Sequence, residues 1–159
     1  MRRSLWIALL ASFVLLAAGA SVAAKHVPRG LVVSSVARGT LTEQVAFDRD
    51  NLKLRTRGPV DVVTIEASFE RNGGSAGWHV HPGALFVVVK QGTLSVWDED
   101  CVKNTYSAGQ TFFEEGPHHR MLVKNESTDT DAFVTGTFIV PVGATPLSKP
   151  KRHRCGLAD

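Results

Sequence analysis

The chain has 159 residues, 43% of them hydrophobic, and a formal net charge of +3. This length suits a single domain, and no low-complexity tract or repeat of 20–50 residues interrupts it. Without the N-terminal Arg2 and Arg3, the chain has 16 basic against 15 acidic residues. The charge therefore gives no case for nucleic-acid binding.

Met1–Ala24 has the layout of a secretory signal peptide. Two arginines precede the apolar stretch Leu5–Ala20, and small residues follow it. Cleavage after Ala23 and cleavage after Ala24 fit equally well. The expected mature protein is Lys25–Asp159, secreted or periplasmic and not attached to a membrane. An uncleaved anchor would need a longer apolar run, and the residues after the arginines fit a twin-arginine signal poorly.

Short strands separated by turns are predicted throughout the rest of the chain, with no sustained helical periodicity. Val63–Phe69 alternates apolar and polar residues, which is typical of a half-buried strand. Leu85–Val89 is apolar on both faces, which predicts a strand enclosed on both sides. The other predicted strands are Leu31–Val36, Leu41–Phe47, Leu52–Thr56, Thr93–Trp97, Gln110–Glu114, His119–Lys124 and Ala132–Val140. Turn signals every 8–12 residues indicate an all-β sandwich or small barrel.

Two histidines, His79 and His81, follow a glycine-rich turn and precede Pro82-Gly83. In a strand, residues i and i+2 point to the same face, about 6.5–7 Å apart. Two imidazoles on one face can both reach one metal ion. This pair is therefore the first candidate for a metal site.

The only cysteines are Cys101 and Cys155. In an exported chain, an even pair indicates a disulfide, and metal ligation by the cysteines is the weaker alternative. The bridge would tie the C-terminal tail to the loop after Trp97. From Gly143 this tail is expected to be irregular, and its basic cluster Lys149–Arg154 is expected to be solvated.

The residues around the histidines resemble the two motifs of the cupins. Gly77–Pro82, followed by a strand that ends at Gly92, is similar to the first motif. Gly109, Gly116-Pro117-His118-His119 and Asn125 are similar to the second. The resemblance covers Val60–Val140.

This resemblance implies an all-β double-stranded β-helix, the cupin jelly-roll barrel, which often binds a divalent metal in its mouth. It also extends to small secreted bacterial cupins. By the same analogy, Leu31–Phe47 is expected to pair with a second copy in a homodimer.

The metal ligands implied by the motifs are His79, His81 and His119. The first motif usually has a glutamate four residues after its second histidine, where this chain has Leu85. Counting back from Asn125 instead selects Met121 as the third inward position, and this alternative stays open. Imidazole ligands suit Zn, Fe, Cu or Ni, and Mg is not expected.

Several neighbouring residues have secondary roles in this hypothesis. Glu114 and Glu115 are expected to be solvated turn carboxylates, with an outer-shell base or a fourth ligand as the alternative. The aromatic residues are expected to pack the barrel, and Trp78 has a pocket wall as its alternative role. These residues are Trp78, Phe86, Trp97, Phe112 and Phe113.

Three functions are compatible with the sequence. The first is a metal-dependent enzyme, such as an iron dioxygenase of the thiol dioxygenase type. The second is a small-molecule or sugar binding module with a vestigial metal site. The third is an extracytoplasmic scaffold, which predicts a barrel filled by side chains with no pocket. The sequence has no dedicated nucleophile and no assured general base near the histidines.

Overall fold

A computed structural model describes residues 29–146, 149–150 and 155–157. The predicted signal peptide, Met1–Ala24, lies outside the described residues. The strands are β1 (Leu31–Leu41), β2 (Ala46–Arg49), β3 (Leu52–Arg55), β4 (Val60–Phe69), β5 (Ser75–Val80), β6 (Ala84–Gln91), β7 (Thr93–Trp97), β8 (Lys103–Ser107), β9 (Thr111–Glu114), β10 (Met121–Lys124), β11 (Ala132–Pro141) and β12 (Lys149–Pro150). Among these residues, no helix is long and apolar enough to span a membrane.

Two antiparallel sheets of five strands each form the described part of the chain, and β2 and β3 form a separate hairpin. The strand orders are β1-β4-β11-β6-β9 and β12-β5-β10-β7-β8. Neighbours in each sheet are mostly distant in sequence, and side chains from both sheets share one core. This interleaved two-sheet arrangement is a jelly roll. The predicted all-β double-stranded β-helix is confirmed.

The core is built by strands that alternate between a buried and a solvent-facing side. On β4, Val63, Ile65, Ala67 and Phe69 are buried between the sheets, as the alternation predicted. Burying each large apolar side chain stabilises the fold by about 1.5–3 kcal/mol. Val60 extends β4 beyond the predicted start at Val63.

The prediction that Leu85–Val89 is enclosed on both sides is wrong. Leu85, Val87 and Val89 face the core, whereas Phe86 is 45% exposed and Val88 is 43% exposed. The outer face of this sheet has no covering layer among the described residues, so an apolar run does not report burial on both sides.

The aromatic residues do not all pack the barrel, which corrects that expectation. Phe112 lies in the main core, but Phe113 and Phe86 pair with each other on the outer face, their ring centroids 4.9 Å apart. Trp78 and Trp97 form a second small core on the other sheet.

The C-terminal tail covers this second core. Cys155 and Leu157 pack against Trp78, Trp97 and Leu122. The predicted disulfide is confirmed, because Cys101 and Cys155 are bonded. The tail is less irregular than predicted, since β12 pairs with the free edge of β5.

The N-terminal strand β1 lies at the other sheet's edge and continues to Leu41, beyond the predicted end at Val36. Apart from the half-buried Leu31, all its residues are exposed. The predicted strand Leu41–Phe47 is instead divided, because β2 begins at Ala46. The homodimer remains a prediction.

Candidate metal centre

His79 lies on strand β5 and His81 follows directly after its last residue, Val80. His79 and His81 are both buried, and their rings meet edge to face with centroids 4.8 Å apart. His81 also packs against the ring of Phe138 from the opposite sheet. The alternation of β5 thus continues to His81, and both imidazoles lie on one inner face, as the spacing predicted.

Backbone carbonyls hold both rings in one orientation. His79 Nδ1 donates to the carbonyl oxygen of Gly77 at 2.7 Å, and His81 Nδ1 donates to that of Pro146 at 3.2 Å. A carbonyl oxygen only accepts, so each Nδ1 must carry a proton. Each ring therefore presents Nε2 to the barrel interior, the arrangement in which metal-binding histidines are commonly held.

Gly77 makes the first of these contacts through an unusual backbone conformation. Its φ angle is +66°, and the ladder between β5 and β10 changes register beside it. Positive φ is accessible to glycine without the steric cost that a Cβ adds. A sequence-local feature thus sets the orientation of His79.

Glu114, at the end of β9, completes the cluster. Its Oε2 atom lies 3.0 Å from His79 Nε2 and 3.1 Å from His81 Nε2. Two ligands that each lie about 2.1 Å from one ion, at angles of 90–110°, are about 3.0–3.4 Å apart. The potential ligand atoms of the three residues all lie within 4.8 Å of one another. The donor set therefore fits a divalent metal.

This carboxylate comes from the strand beside the expected one. Leu85 occupies the position where the first cupin motif usually has glutamate, and its direct partner across the β6–β9 ladder is Glu114. Both side chains point inward, so the carboxylate has moved to the neighbouring strand. Glu114 is therefore not a solvated turn residue. The sequence did contain a signal for this inward position: Glu114 is two residues after the apolar Phe112, so both side chains point to the same face of the strand.

The cluster is strongly polarised. Burial opposes charge on both partners, but the Glu114 carboxylate outweighs it and raises the pKa of His79 above its ordinary value. Burial would likewise raise the pKa of Glu114, yet the His79 charge and the hydrogen bonds from both histidines lower it. Without a metal, His79 and Glu114 thus each favour the charged form of the other.

His119 is not brought to this cluster, which corrects the expected three-histidine arrangement. Strand β10 begins at Met121, so His119 lies in the turn before it and is half exposed. Its Nε2 lies 3.0 Å from Glu115 and its Nδ1 lies 3.4 Å from Glu99. Among the described residues, the one cluster that could hold a metal is His79, His81 and Glu114.

The alternative count back from Asn125, which selected Met121 as the third inward position, agrees with the observed register of β10. Met121 pairs directly with His79 and packs against the barrel core. Asn125 is fully buried, donates to the carbonyl oxygens of Phe69 and Thr130, and accepts from the Ser127 amide. This side chain anchors the end of β10.

A cavity of about 440 Å³ extends from the three polar residues between the two sheets. Its lining is otherwise mostly apolar. Trp78 is not among the lining residues, so the alternative that it forms a pocket wall is wrong. The barrel is thus not filled by side chains, which contradicts the scaffold prediction.

No family model matches this chain, and no curated protein matches it in sequence. Several solved structures are similar. An RmlC-like cupin from Shewanella frigidimarina is 16% identical, with 75% of this chain and 84% of that chain covered, at a TM-score of 0.47. A cupin domain from Bordetella pertussis is 18% identical, with 72% and 97% covered, at a TM-score of 0.46.

A cupin superfamily protein from Desulfitobacterium hafniense is 13% identical, with 64% of this chain and 78% of that chain covered, at a TM-score of 0.44. At such identities the similarity concerns the fold and no activity. The interleaved order of the two five-stranded sheets does not depend on these similarities. It gives the described part of the chain the jelly-roll fold of the cupins, as the sequence motifs predicted.

Proposed function

We propose that this protein is an exported cupin-type protein that binds a divalent transition metal and a small molecule inside its barrel. The observation that carries the proposal is the convergence of two Nε2 atoms on one Glu114 oxygen, with both Nδ1 atoms bonded to backbone carbonyls. His79, His81 and Glu114 would hold the metal, and the cavity beside them would hold the ligand.

The donor set narrows the choice of metal. Two imidazoles and one carboxylate suit Zn, Fe, Cu or Ni, whereas Mg prefers oxygen ligands and water. The carboxylate offsets one of the two positive charges of the ion. Three protein ligands leave coordination positions open, so a bound molecule could reach the metal.

The chain's own residues define what such a site does. The metal would supply Lewis-acid or redox chemistry when bound. The two carbonyl-anchored imidazoles keep their Nε2 atoms oriented without rearrangement, and Glu114 supplies negative charge from the opposite sheet. The apolar cavity walls keep bulk water from surrounding a bound molecule, which strengthens electrostatic interactions at the site.

An iron-dependent oxidoreductase is the second candidate. Two histidines and one carboxylate, with open positions, are the donor set of non-haem iron oxygenases. This observation favours an oxygenase of that kind over the three-histidine iron site expected from the motifs. Iron that co-purifies anaerobically and reacts with dioxygen would support it, and stoichiometric zinc would exclude it.

The metal content of anaerobically purified mature protein tests the main proposal. We expect close to one transition metal ion per chain in the wild type and in His119→Ala, and a loss in His79→Ala. His119 serves as the matched control because it is an exposed histidine outside the cluster. A wild-type content near zero, with no uptake of added Zn²⁺, would overturn the metal proposal.

Export belongs to the same proposal. It is supported by the signal-peptide layout of Met1–Ala24 and by the Cys101–Cys155 disulfide, since disulfides persist in oxidising compartments. N-terminal sequencing of the protein recovered outside the cytoplasm should begin at Ala24 or Lys25. Recovery of the full-length chain from the cytoplasm would contradict export.

A further inference from the structure

We propose that the barrel cavity takes a small molecule with a predominantly apolar body and one oxygen-donor head, and that it excludes sugars and other polyhydroxylated compounds. The orientation of the head toward the metal rests on the proposed function. The apolar character of the body rests on the cavity itself.

Polar groups are confined to limited parts of the cavity wall. His79, His81 and Glu114 form one cluster, and Ser35 and Arg38 come from the edge strand β1. The remaining wall is dominated by buried apolar side chains from both sheets. These include Ile65, Phe69, Leu85, Val87, Phe112 and Val134.

Arg38 does not make the cavity an anion-binding site. Its guanidinium pairs with the Asp61 carboxylate and also donates to the carbonyl oxygen of Ala144 at 2.9 Å. Asp61 is itself buried and neutralises the arginine charge. The remaining place for a charged or strongly polar head is the metal cluster.

Hydrogen bonding explains why a sugar would bind poorly. Each buried hydroxyl group without a partner costs about 1–3 kcal/mol. A sugar carries such groups around its whole ring, whereas the cavity offers partners on one side and at β1. An apolar body has no such requirement and gains about 25 cal/mol per Å² of buried apolar area.

Size is consistent with this occupant. The cavity volume of about 440 Å³ lies within the range of about 300–1,000 Å³ found for small-molecule sites. Gly136 helps to keep it open, because a Cβ there would approach Leu85 Cδ1 to 3.1 Å and Ile65 Cδ1 to 3.2 Å. The space is therefore available in the folded chain.

The first test uses zinc-loaded mature protein and n-alkyl hydroxamates of increasing chain length, measured by calorimetry. The hydroxamate head chelates metal similarly at every chain length, so a chain-length dependence must come from the cavity. We expect the affinity to rise about fourfold per added CH₂ until the cavity is filled. Gluconohydroxamate, which has the same head on a polyhydroxylated body, should bind no better than acetohydroxamate.

A variant pair locates this effect. Ala67 is buried and lines the cavity, so Ala67→Leu should leave zinc content and acetohydroxamate affinity unchanged but weaken the longest hydroxamate by at least tenfold. Ser68→Leu adds the same side chain at the next position, on the outer face of β4, and should change neither affinity. Equal affinities across the alkyl series, or tighter binding of gluconohydroxamate, would overturn the proposal.

A second experiment distinguishes the cavity proposal from the proposed metal function. Metal-free protein is titrated with n-alkanols, with ¹H–¹⁵N shifts as the readout. If the wild type holds no metal but binds long alkanols, and Ala67→Leu abolishes that binding, the cavity proposal survives and the proposed metal function fails. If zinc is held but neither alkanols nor hydroxamates bind with length dependence, the cavity proposal fails alone.

Discussion

Two imidazoles and one carboxylate carry the proposed chemistry, and the backbone constrains the two imidazoles at different points of the chain. His79 is anchored two residues away, by Gly77, whereas His81 is anchored by Pro146 in the C-terminal tail. Glu114 comes from the opposite sheet. The site therefore needs local geometry, tail docking and sheet packing together.

Replacing the carboxylate should remove most of the metal affinity. In Glu114→Gln, the side chain keeps its size but loses the negative charge that would offset the ion. We expect the zinc affinity to fall at least about a hundredfold. Removing a residue that only hydrogen-bonds to a metal ligand already costs up to about a hundredfold, and Glu114 would be a ligand itself. Competition with a fluorescent zinc chelator measures it.

Glu115→Gln is the matched control, because Glu115 is the exposed neighbour that pairs with His119. Its zinc affinity should equal that of the wild type. Comparable losses in both variants would show that the general charge of this turn, and not ligation by Glu114, governs binding.

Gly77 offers a second test at the residue scale. In Gly77→Ala, the Cβ must be accommodated at φ +66°, which should lower the free energy of unfolding by about 1–2 kcal/mol. Urea unfolding measures the change. Gly39→Ala is the control, since Gly39 has ordinary φ and no atom within 4 Å of an added Cβ. A loss of stability in Gly39→Ala as large as that in Gly77→Ala would contradict this explanation.

At the scale of the elements, Asp61 connects β4 to two other parts of the chain. It accepts from Thr40 Oγ1 at 2.6 Å, from the Gly143 amide at 2.9 Å and from the Arg38 guanidinium. These hydrogen bonds lower the pKa of Asp61 from 3.8 to about 2, and the hydrogen bond from Thr40 contributes most to this shift. One carboxylate thus fastens the edge strand β1 and the turn after β11.

The depressed pKa gives a defined pH dependence. Because the folded-state pKa lies below the unfolded one, this stabilisation is fully present above about pH 5 and is lost as the pH falls toward 2. Asp61→Asn should therefore be less stable than the wild type at pH 7, and the difference should shrink between pH 5 and pH 2.

Urea unfolding at several pH values measures this difference, with Asp48→Asn as the control. Asp48 is an exposed residue of the β2–β3 hairpin whose partner is Lys53, so its replacement should change stability little at any pH. A constant difference between Asp61→Asn and the wild type across the pH range would refute the assignment.

For the whole molecule, the disulfide secures the tail over the second core. Cys101 and Cys155 are 54 residues apart. Loop entropy for a bridge of this span is worth about 4 kcal/mol. Cys101→Ser with Cys155→Ser should lower the free energy of unfolding by up to that amount and expose Trp78, which shifts its fluorescence to longer wavelength.

The same double variant should also bind zinc more weakly, because the tail supplies the Pro146 carbonyl that orients His81. Adding Glu115→Gln to this double variant should lower the zinc affinity no further if the effect comes through the tail alone. Unchanged stability together with unchanged tryptophan fluorescence would show that β12 and Leu157 hold the tail without the bridge.

Much of the fold could be predicted because it follows from local patterns. The alternation of Val63–Phe69 identifies a half-buried strand whatever its neighbours are, and Thr93–Trp97 was predicted to the residue. The exposure of the outer face of β6 could not be predicted, because it depends on whether another layer covers that sheet. For the same reason, Phe86 and Phe113 were wrongly predicted to pack inside the barrel.

By itself, the sequence determined the strand content, the inward orientation of His79 and His81, and the pairing of Cys101 with Cys155. These follow from period-two geometry and from there being two cysteines. Only the tertiary structure decided the third member of the cluster. Glu114 is 33 residues from His81, and His119 had the more familiar ligand chemistry. Which of them reaches the pair depends on the register of β9 against β6 and on where β10 begins, and both are set by contacts between strands distant in sequence.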